Sequence, residues 1–420
     1  GLDIYNGLHF FIPSIPIIDV RHDHNNYFDT WSWGLPWSAM GRIQIPLYPF
    51  LTALGFLIPL DLCFSMWFFF IFRKLQQVAA VAVPIQLMPA LPYLGEQSFG
   101  AWFILFGYSM WVGRRYFAEL WRSIVSGAVS GETDTGDPMS HRAAILAIVG
   151  GSAFLLYFCL KAGMTVLAVV PFLGFVFIIH TVLTRIRAEL GPPAHEMAGN
   201  MNAASLQVML AGARNVGARN LTVFPLFWWL TGRGYRTTPM PVQLEGFKMA
   251  EVSGAEPSRL AVAMAVSFLL GGFFSYWSAI HLTYQHGNTP LIGHNGGQWS
   301  QLASWLNAPQ DPSWQSAVFI CMGGVFTALL VWMRINFLWW PLHPLAYAAI
   351  MGPTWMGDRY GFSIFLGWLV RRLVHRFGGY PAYRLGRSAA VGMVVGNAVV
   401  LLTWTIVHYF HPIAGVLITE

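Results

Sequence analysis

Charge is what this sequence has least of: Asp, Glu, Lys and Arg together make up 10% of its 420 residues, against about 25% in an ordinary soluble domain. With 18 acidic and 24 basic residues, several soluble domains could not be given a charged, patch-free surface. Cysteine is scarce as well. Cys63, Cys159 and Cys321 lie in apolar segments and form no CxxC pair, which excludes a disulfide scaffold and reads as small buried hydrophobes. No Walker A loop, GxSxG elbow or HExxH pair occurs. ATP-driven pumping by this chain alone and the commonest hydrolase arrangements therefore have no support. The net charge of +6 comes as short basic pairs beside apolar runs, the form of topology signals and not of a nucleic-acid footprint. Apolar residues are what the chain has in quantity, 55% of the total, with 19 Trp and 15 Tyr to anchor two lipid–water interfaces. The expected fold is an all-α polytopic membrane helix bundle.

A helix needs about 20 apolar residues to cross the hydrocarbon. Residues 143–160 and 166–183 meet that as a hairpin around Lys161-Ala-Gly, and 260–282, 317–333 and 389–410 predict three more spans. The stretch 45–72 is long but carries Pro46, Pro49, Pro59 and Asp61, while 99–112, 221–230, 337–351 and 362–370 are short. About eight to ten spans are expected, some short or broken. The loop 283–314 lacks Lys and Arg and is placed outside, whereas 187–259 is rich in them and is placed in the cytoplasm, with 240–252 as an amphipathic surface helix. Arg73-Lys74 and Arg114-Arg115 both read as cytoplasmic. Either 77–94 recrosses despite Pro84, Pro89 and Pro92, or Arg114-Arg115 lies on the other face.

Self-similarity supplies the most specific signal. Pro46-Leu-Tyr-Pro49 is followed after eleven residues by Asp61, then Phe64-Ser65, seven apolar residues and Arg73-Lys74-Leu75. Pro341-Leu-His-Pro344 is followed after thirteen by Asp358, then Phe362-Ser363, seven residues of the same kind and Arg371-Arg372-Leu373. The expected organisation is an aqueous segment 1–44, a first repeat unit 45–126, a loop and hairpin 127–185, and a cytoplasmic segment 186–259. Two spans follow at 260–333, then a second repeat unit at 334–420. A proline-broken start frees backbone groups that lipid cannot satisfy, so the break must face protein or a wet cavity, as in transporters built from repeats. A duplication kept only for packing is the alternative.

Polar residues inside apolar stretches are the candidate solute or ion sites. Asp61 lies within the first long run, where an ionised carboxylate must be paired, hydrated or protonated; Asp358 is its counterpart, or an interfacial partner of Arg359. His343 and Tyr48 occupy one place in the two copies, and His343 could carry a proton or satisfy a freed carbonyl. Glu96 opens a short span, where the helix dipole alone favours a carboxylate. Arg334, Asn336 and His180 at span ends, and Asn397 within the last span, read as snorkelling or interhelical bonding. Asp19, His22, Asp23 and His24 fit no metal-ligand spacing, and Gly293-His-Asn-Gly-Gly297 does not join a strand to a helix as a nucleotide loop does. No metal or cofactor is expected.

His9-Phe-Phe-Ile-Pro-Ser, Ile58-Pro-Leu-Asp61-Leu, Gly95-Glu-Gln-Ser98, Arg187-Ala-Glu-Leu-Gly191, Met240-Pro-Val-Gln-Leu-Glu245 and Gly357-Asp-Arg-Tyr-Gly-Phe-Ser363 together resemble an uncharacterised family of large bacterial membrane proteins known only as domains of unknown function. The resemblance runs over nearly the whole chain. It implies further hydrophobic helices before Gly1, in keeping with a chain that starts without Met or signal sequence and is either processed or part of a longer protein. More remotely, Phe362–Arg371 and Gly392-Met-Val-Val-Gly396 are similar to the C-terminal half of the oligopeptide transporter family, which moves peptides or metal chelates with protons. That family's Asn-Pro-Gly element is not found, and no site residues carry over. The expected function is secondary transport of a small polar or peptide-like solute across the bacterial cytoplasmic membrane, coupled to protons through Asp61 with Asp358 and His343. The alternatives are a membrane-embedded enzyme acting on lipid or lipid-linked sugar and a noncatalytic scaffold subunit. The expected partners are the solute and membrane lipid, with a second copy of the chain as a candidate and nucleic acid excluded.

Overall fold

A computed structural model describes residues 4–5, 8, 12–16, 27–83, 90–125, 138–191, 202–231, 238–287, 297–352 and 355–410. Two short strands come first, β1 (Tyr27–Asp29) and β2 (Arg42–Gln44). The first run of helices is α1 (Pro49–Leu57), α2 (Leu60–Ala82), α3 (Leu94–Val125), α4 (His141–Lys161), α5 (Val166–Leu190) and α6 (Ala203–Ala211). After several one-turn pieces come α7 (Pro239–Ser253), α8 (Pro257–His286), α9 (Gly297–Asn307), α10 (Trp314–Asn336), α11 (Pro344–Ile350), α12 (Trp355–Leu373) and α13 (Gly379–Phe410). The chain divides into two compact units, one of Gly1–Leu94 with Leu329–Glu420 and one of Gly95–Ala328.

In the first unit β1 and β2 pair antiparallel, Tyr27 opposite Gln44. The long apolar stretch from Ile45 breaks where its prolines said it would. Ile58 is extended ahead of Pro59, which disfavours helix in the residue before it, so α1 stops and α2 starts anew. α2 and α12 run antiparallel: Phe64 meets Trp368 at 5.9 Å between ring centroids, Trp67 meets Phe365 at 5.5 Å, and Arg73 meets Asp358. α1 lies against α12 so closely that a Cβ on Gly367 would come within 2.5 Å of the Thr52 carbonyl oxygen. A π turn at Val374–Gly378 and the positive φ of Gly379 end α12. α13 then runs back along α1, burying Ala390 with Ala53 and Phe56.

In the second unit α4 and α5 form the expected hairpin, turning at Gly163 with φ of 108°. The stretch 221–230 is broken into single turns around Phe224–Phe227, preceded by one-turn helices separated at Gly217. They are held by Asn220, whose side chain accepts the Thr165 N–H at 2.8 Å and donates to the Val216 carbonyl at 2.6 Å. The run 99–112, short by hydropathy, is part of the 32-residue α3. Its second half, with Arg114, Arg115, Glu119 and Arg122, is helical but not apolar, so hydropathy alone truncated it. α3 touches α10 backbone to backbone: a Cβ on Gly323 would sit 2.1 Å from the Gln97 carbonyl oxygen. α7 covers the amphipathic segment expected at 240–252 and packs on α5 and α8, tied to α5 by Arg187–Glu245 at 2.5 Å.

Five helical stretches among the described residues are long and apolar enough to cross a bilayer: His141–Lys161, Val166–Leu190, Pro257–Gln285, Trp314–Asn336 and Tyr360–Val407. The last, at 48 residues, would be about 72 Å long as one helix, more than twice the hydrocarbon thickness, and the π turn divides it. α8 leaves Val262, Phe268, Leu269, Phe273, Trp277 and Ile280 exposed, a surface that suits lipid and not water. The chain is a helical membrane protein.

Candidate functional site

The two broken-helix elements of the first unit hold each other. Ser65, on α2, accepts the His343 N–H at 2.8 Å, and its hydroxyl proton is directed to the carbonyls of Pro341 at 2.9 Å and Asp61 at 2.6 Å. Ser363, on α12, accepts the Tyr48 N–H at 3.0 Å and donates to the Pro46 carbonyl at 3.0 Å. Each proline-bracketed start is thus satisfied by a hydroxyl from the other stretch, in a place where water is excluded: both serines are fully buried.

The other ends of the short helices are held in the same manner. A helix ends with carbonyls that have no internal partner. Arg371, on α12, donates through Nη1 to the carbonyls closing α1, those of Phe56 at 3.1 Å, Leu57 at 3.4 Å and Ile58. Arg73, on α2, donates through Nη1 to the Gly352 carbonyl just beyond α11 at 3.0 Å, and through Nη2 to Asp358 at 2.5 Å. Lys74 shares Asp358 at 3.1 Å and donates to the Met40 carbonyl at 2.9 Å. Arg73 and Lys74 are therefore buried mid-helix cations, and α2 continues to Ala82.

The residues singled out from sequence fall at separate places. Asp61 lies in the first turn of α2 and pairs with Arg334 at 2.7 Å, both side chains 38% exposed. Arg334, read from sequence as a snorkelling end residue, is thus an ion-pair partner. Asp358 pairs with Arg73 and Lys74. The side chain of Arg359 lies outside the described residues. Since Arg73 is twelve residues beyond Asp61 on α2, the two carboxylates are separated by about 18 Å along that helix. His343 caps α11, its Nδ1 accepting the Leu345 N–H at 3.2 Å, so the ring satisfies a freed amide and not the freed carbonyl that was the alternative for it. Tyr48 precedes α1 and packs edge-on against Tyr360 with centroids 5.7 Å apart. Glu96 lies in the other unit, in the first turn of α3, and accepts from the Ser316 hydroxyl at 3.2 Å. Ser65, Ser363, Arg73 and Arg371 are landmarks of the expected repeat and were not among the candidates; the recurrence of Ser and Arg eight residues apart is the signal that could have found them.

Two cavities accompany these elements. In the first unit a recess of about 340 Å³ is lined by Ile43, Ile45, Trp67, Phe70, Phe362 and Phe365 among others, and is apolar. In the second, a cavity of about 1060 Å³ lies between α5, α7 and the start of α8, with Arg187, Glu245, Lys248 and Glu251 on its wall. Among the described residues no group of three His, Cys, Asp or Glu could hold a metal ion. Asp19, His22, Asp23 and His24 lie outside the described residues, as does most of Gly293–Gly297.

No curated protein matches the chain, and no solved structure does. A family model matches residues 1–418, so the chain belongs to the family of unknown function DUF6785.

Proposed function

We propose that the protein is a secondary transporter of a small polar or peptide-like solute in the bacterial cytoplasmic membrane, built on two copies of one unit in opposite orientation. The copies begin at Pro46 and Pro341. The observation that carries this reading is the reciprocal bonding of the broken starts by Ser65 and Ser363, together with the antiparallel course of α2 and α12. Inverted repeats with discontinuous helices are the arrangement in which one half rocks against the other around a fixed site. The remote likeness to oligopeptide transporters is the reason for naming peptide-like solutes.

Asp61 is the proton or ion site of the proposal. Its partner is Arg334, and both side chains are 38% exposed, so the pair is not sealed within the protein. Asp358, held between two buried cations, serves as an anchor. The lipid-enzyme alternative gains nothing from the apolar recess, whose lining has no acid–base group.

The test is flux. Proteoliposomes holding the full chain are energised with a pH gradient, and proton entry is followed as di- and tripeptides are added. Solute-dependent entry is expected for the wild type and its loss for Asp61→Asn. Equal flux from the variant would remove Asp61 from the mechanism, and no flux with any solute would remove the transport reading.

A further inference from the structure

The two halves of the first unit differ in how their arginines are partnered. On the reading of a duplicated unit, Arg73 and Arg371 are equivalent, and each uses Nη1 to hold the carbonyl end of the other copy's short helix. Arg73 then offers Nη2 to the carboxylate of Asp358. Arg371 has no such partner. Its Nη2 makes no hydrogen bond among the described residues; its Nε is buried without a partner, as the Nε of Arg73 is too. Asp61, the counterpart of Asp358, is turned to Arg334 instead. Tyr383 covers one face of the guanidinium at 5.2 Å and is itself stacked on His375 at 4.6 Å.

We propose that Arg371 is a binding site for the carboxylate of an anionic solute, which takes the position on its fork edge that Asp358 takes on Arg73. An arginine fork matches a carboxylate in plane and charge, and Arg371 is only partly buried where Arg73 is fully buried, which leaves it within reach of a solute. The inference rests on the proposed duplication and narrows the solute class to molecules with a free carboxylate.

Phenylglyoxal labelling of the purified full chain in detergent tests this, read residue by residue by peptide mass mapping. The probes are N-acetyl-alanylalanine, its neutral C-terminal amide, and inorganic phosphate. The carboxylate should slow labelling of Arg371 by about tenfold, as charge-assisted bonds to a fork would, while the adjacent Arg372 is unaffected and the amide does nothing. Equal protection by the amide, or equal slowing at Arg372, overturns the site. Stronger protection by phosphate overturns the carboxylate assignment. A wild-type Arg371 that labels slowly without any probe, and quickly in Asp61→Asn, would mean that Asp61 itself fills the slot, which also overturns it. No gradient is needed, so a negative result here is distinct from failure of the flux test.

Discussion

One hydroxyl group, that of Ser65, serves both the His343 N–H and the Pro341 carbonyl. Replacing it with alanine strands both groups where no water reaches, at a cost of about 1–3 kcal/mol for each buried group left unpaired. Ser65→Ala and Ser363→Ala should each lower the melting temperature in detergent, and by similar amounts, because the two serines do the same work. Ser109→Ala, whose hydroxyl bonds a carbonyl of its own helix and receives Arg185, is a useful comparison outside this pair. In the sequence these serines are legible as recurring landmarks but not as bonding groups. The landmark pattern reveals recurrence, while the identity of the bonded partner, 278 residues away for Ser65 and His343, depends on how α2 and α12 cross. Asp61 was legible as an oddity in an apolar run, but Arg334 as its partner was not, since 273 residues separate the two.

At the scale of elements, glycine sets how near two helices can come. Gly367 brings α12 onto α1, and Gly323 brings α10 onto α3. Gly367→Ala and Gly323→Ala should therefore each cause large losses of monodisperse protein on size-exclusion chromatography, because the added methyl meets backbone, which cannot move aside. Gly150→Ala, with nothing within 4 Å of the added carbon, should leave the profile unchanged and raise helix stability by about 0.5–1 kcal/mol. Proline placed the breaks well. Pro59 ended α1 and Pro344 opened α11 where the sequence indicated. Lengths were less legible: α3 outran its apolar half, since a helix can leave lipid and continue in water without any change in backbone pattern.

For the whole molecule, the membrane sets the terms. α8 is apolar and exposed along its length, so a charge at its centre has nowhere to hide. Leu269→Arg should cost about 2.5–3.5 kcal/mol in insertion and appear as reduced membrane-integrated protein in a glycosylation-mapping assay. The same substitution at Leu338, exposed after the end of α10 beside Trp339, should be tolerated.

The reciprocal bonding of the two broken elements also has a consequence in time. Ser65 must wait for Pro341, 276 residues later in the chain, which at translation speeds of 5–20 residues per second amounts to roughly fifteen to fifty-five seconds. Until then the nascent first half carries backbone groups that oil cannot solvate, so it needs shelter at the ribosome-bound insertion machinery. Pulse-chase labelling should find chains truncated before Pro341 cleared within minutes, and a separately expressed 334–420 fragment should prolong their life.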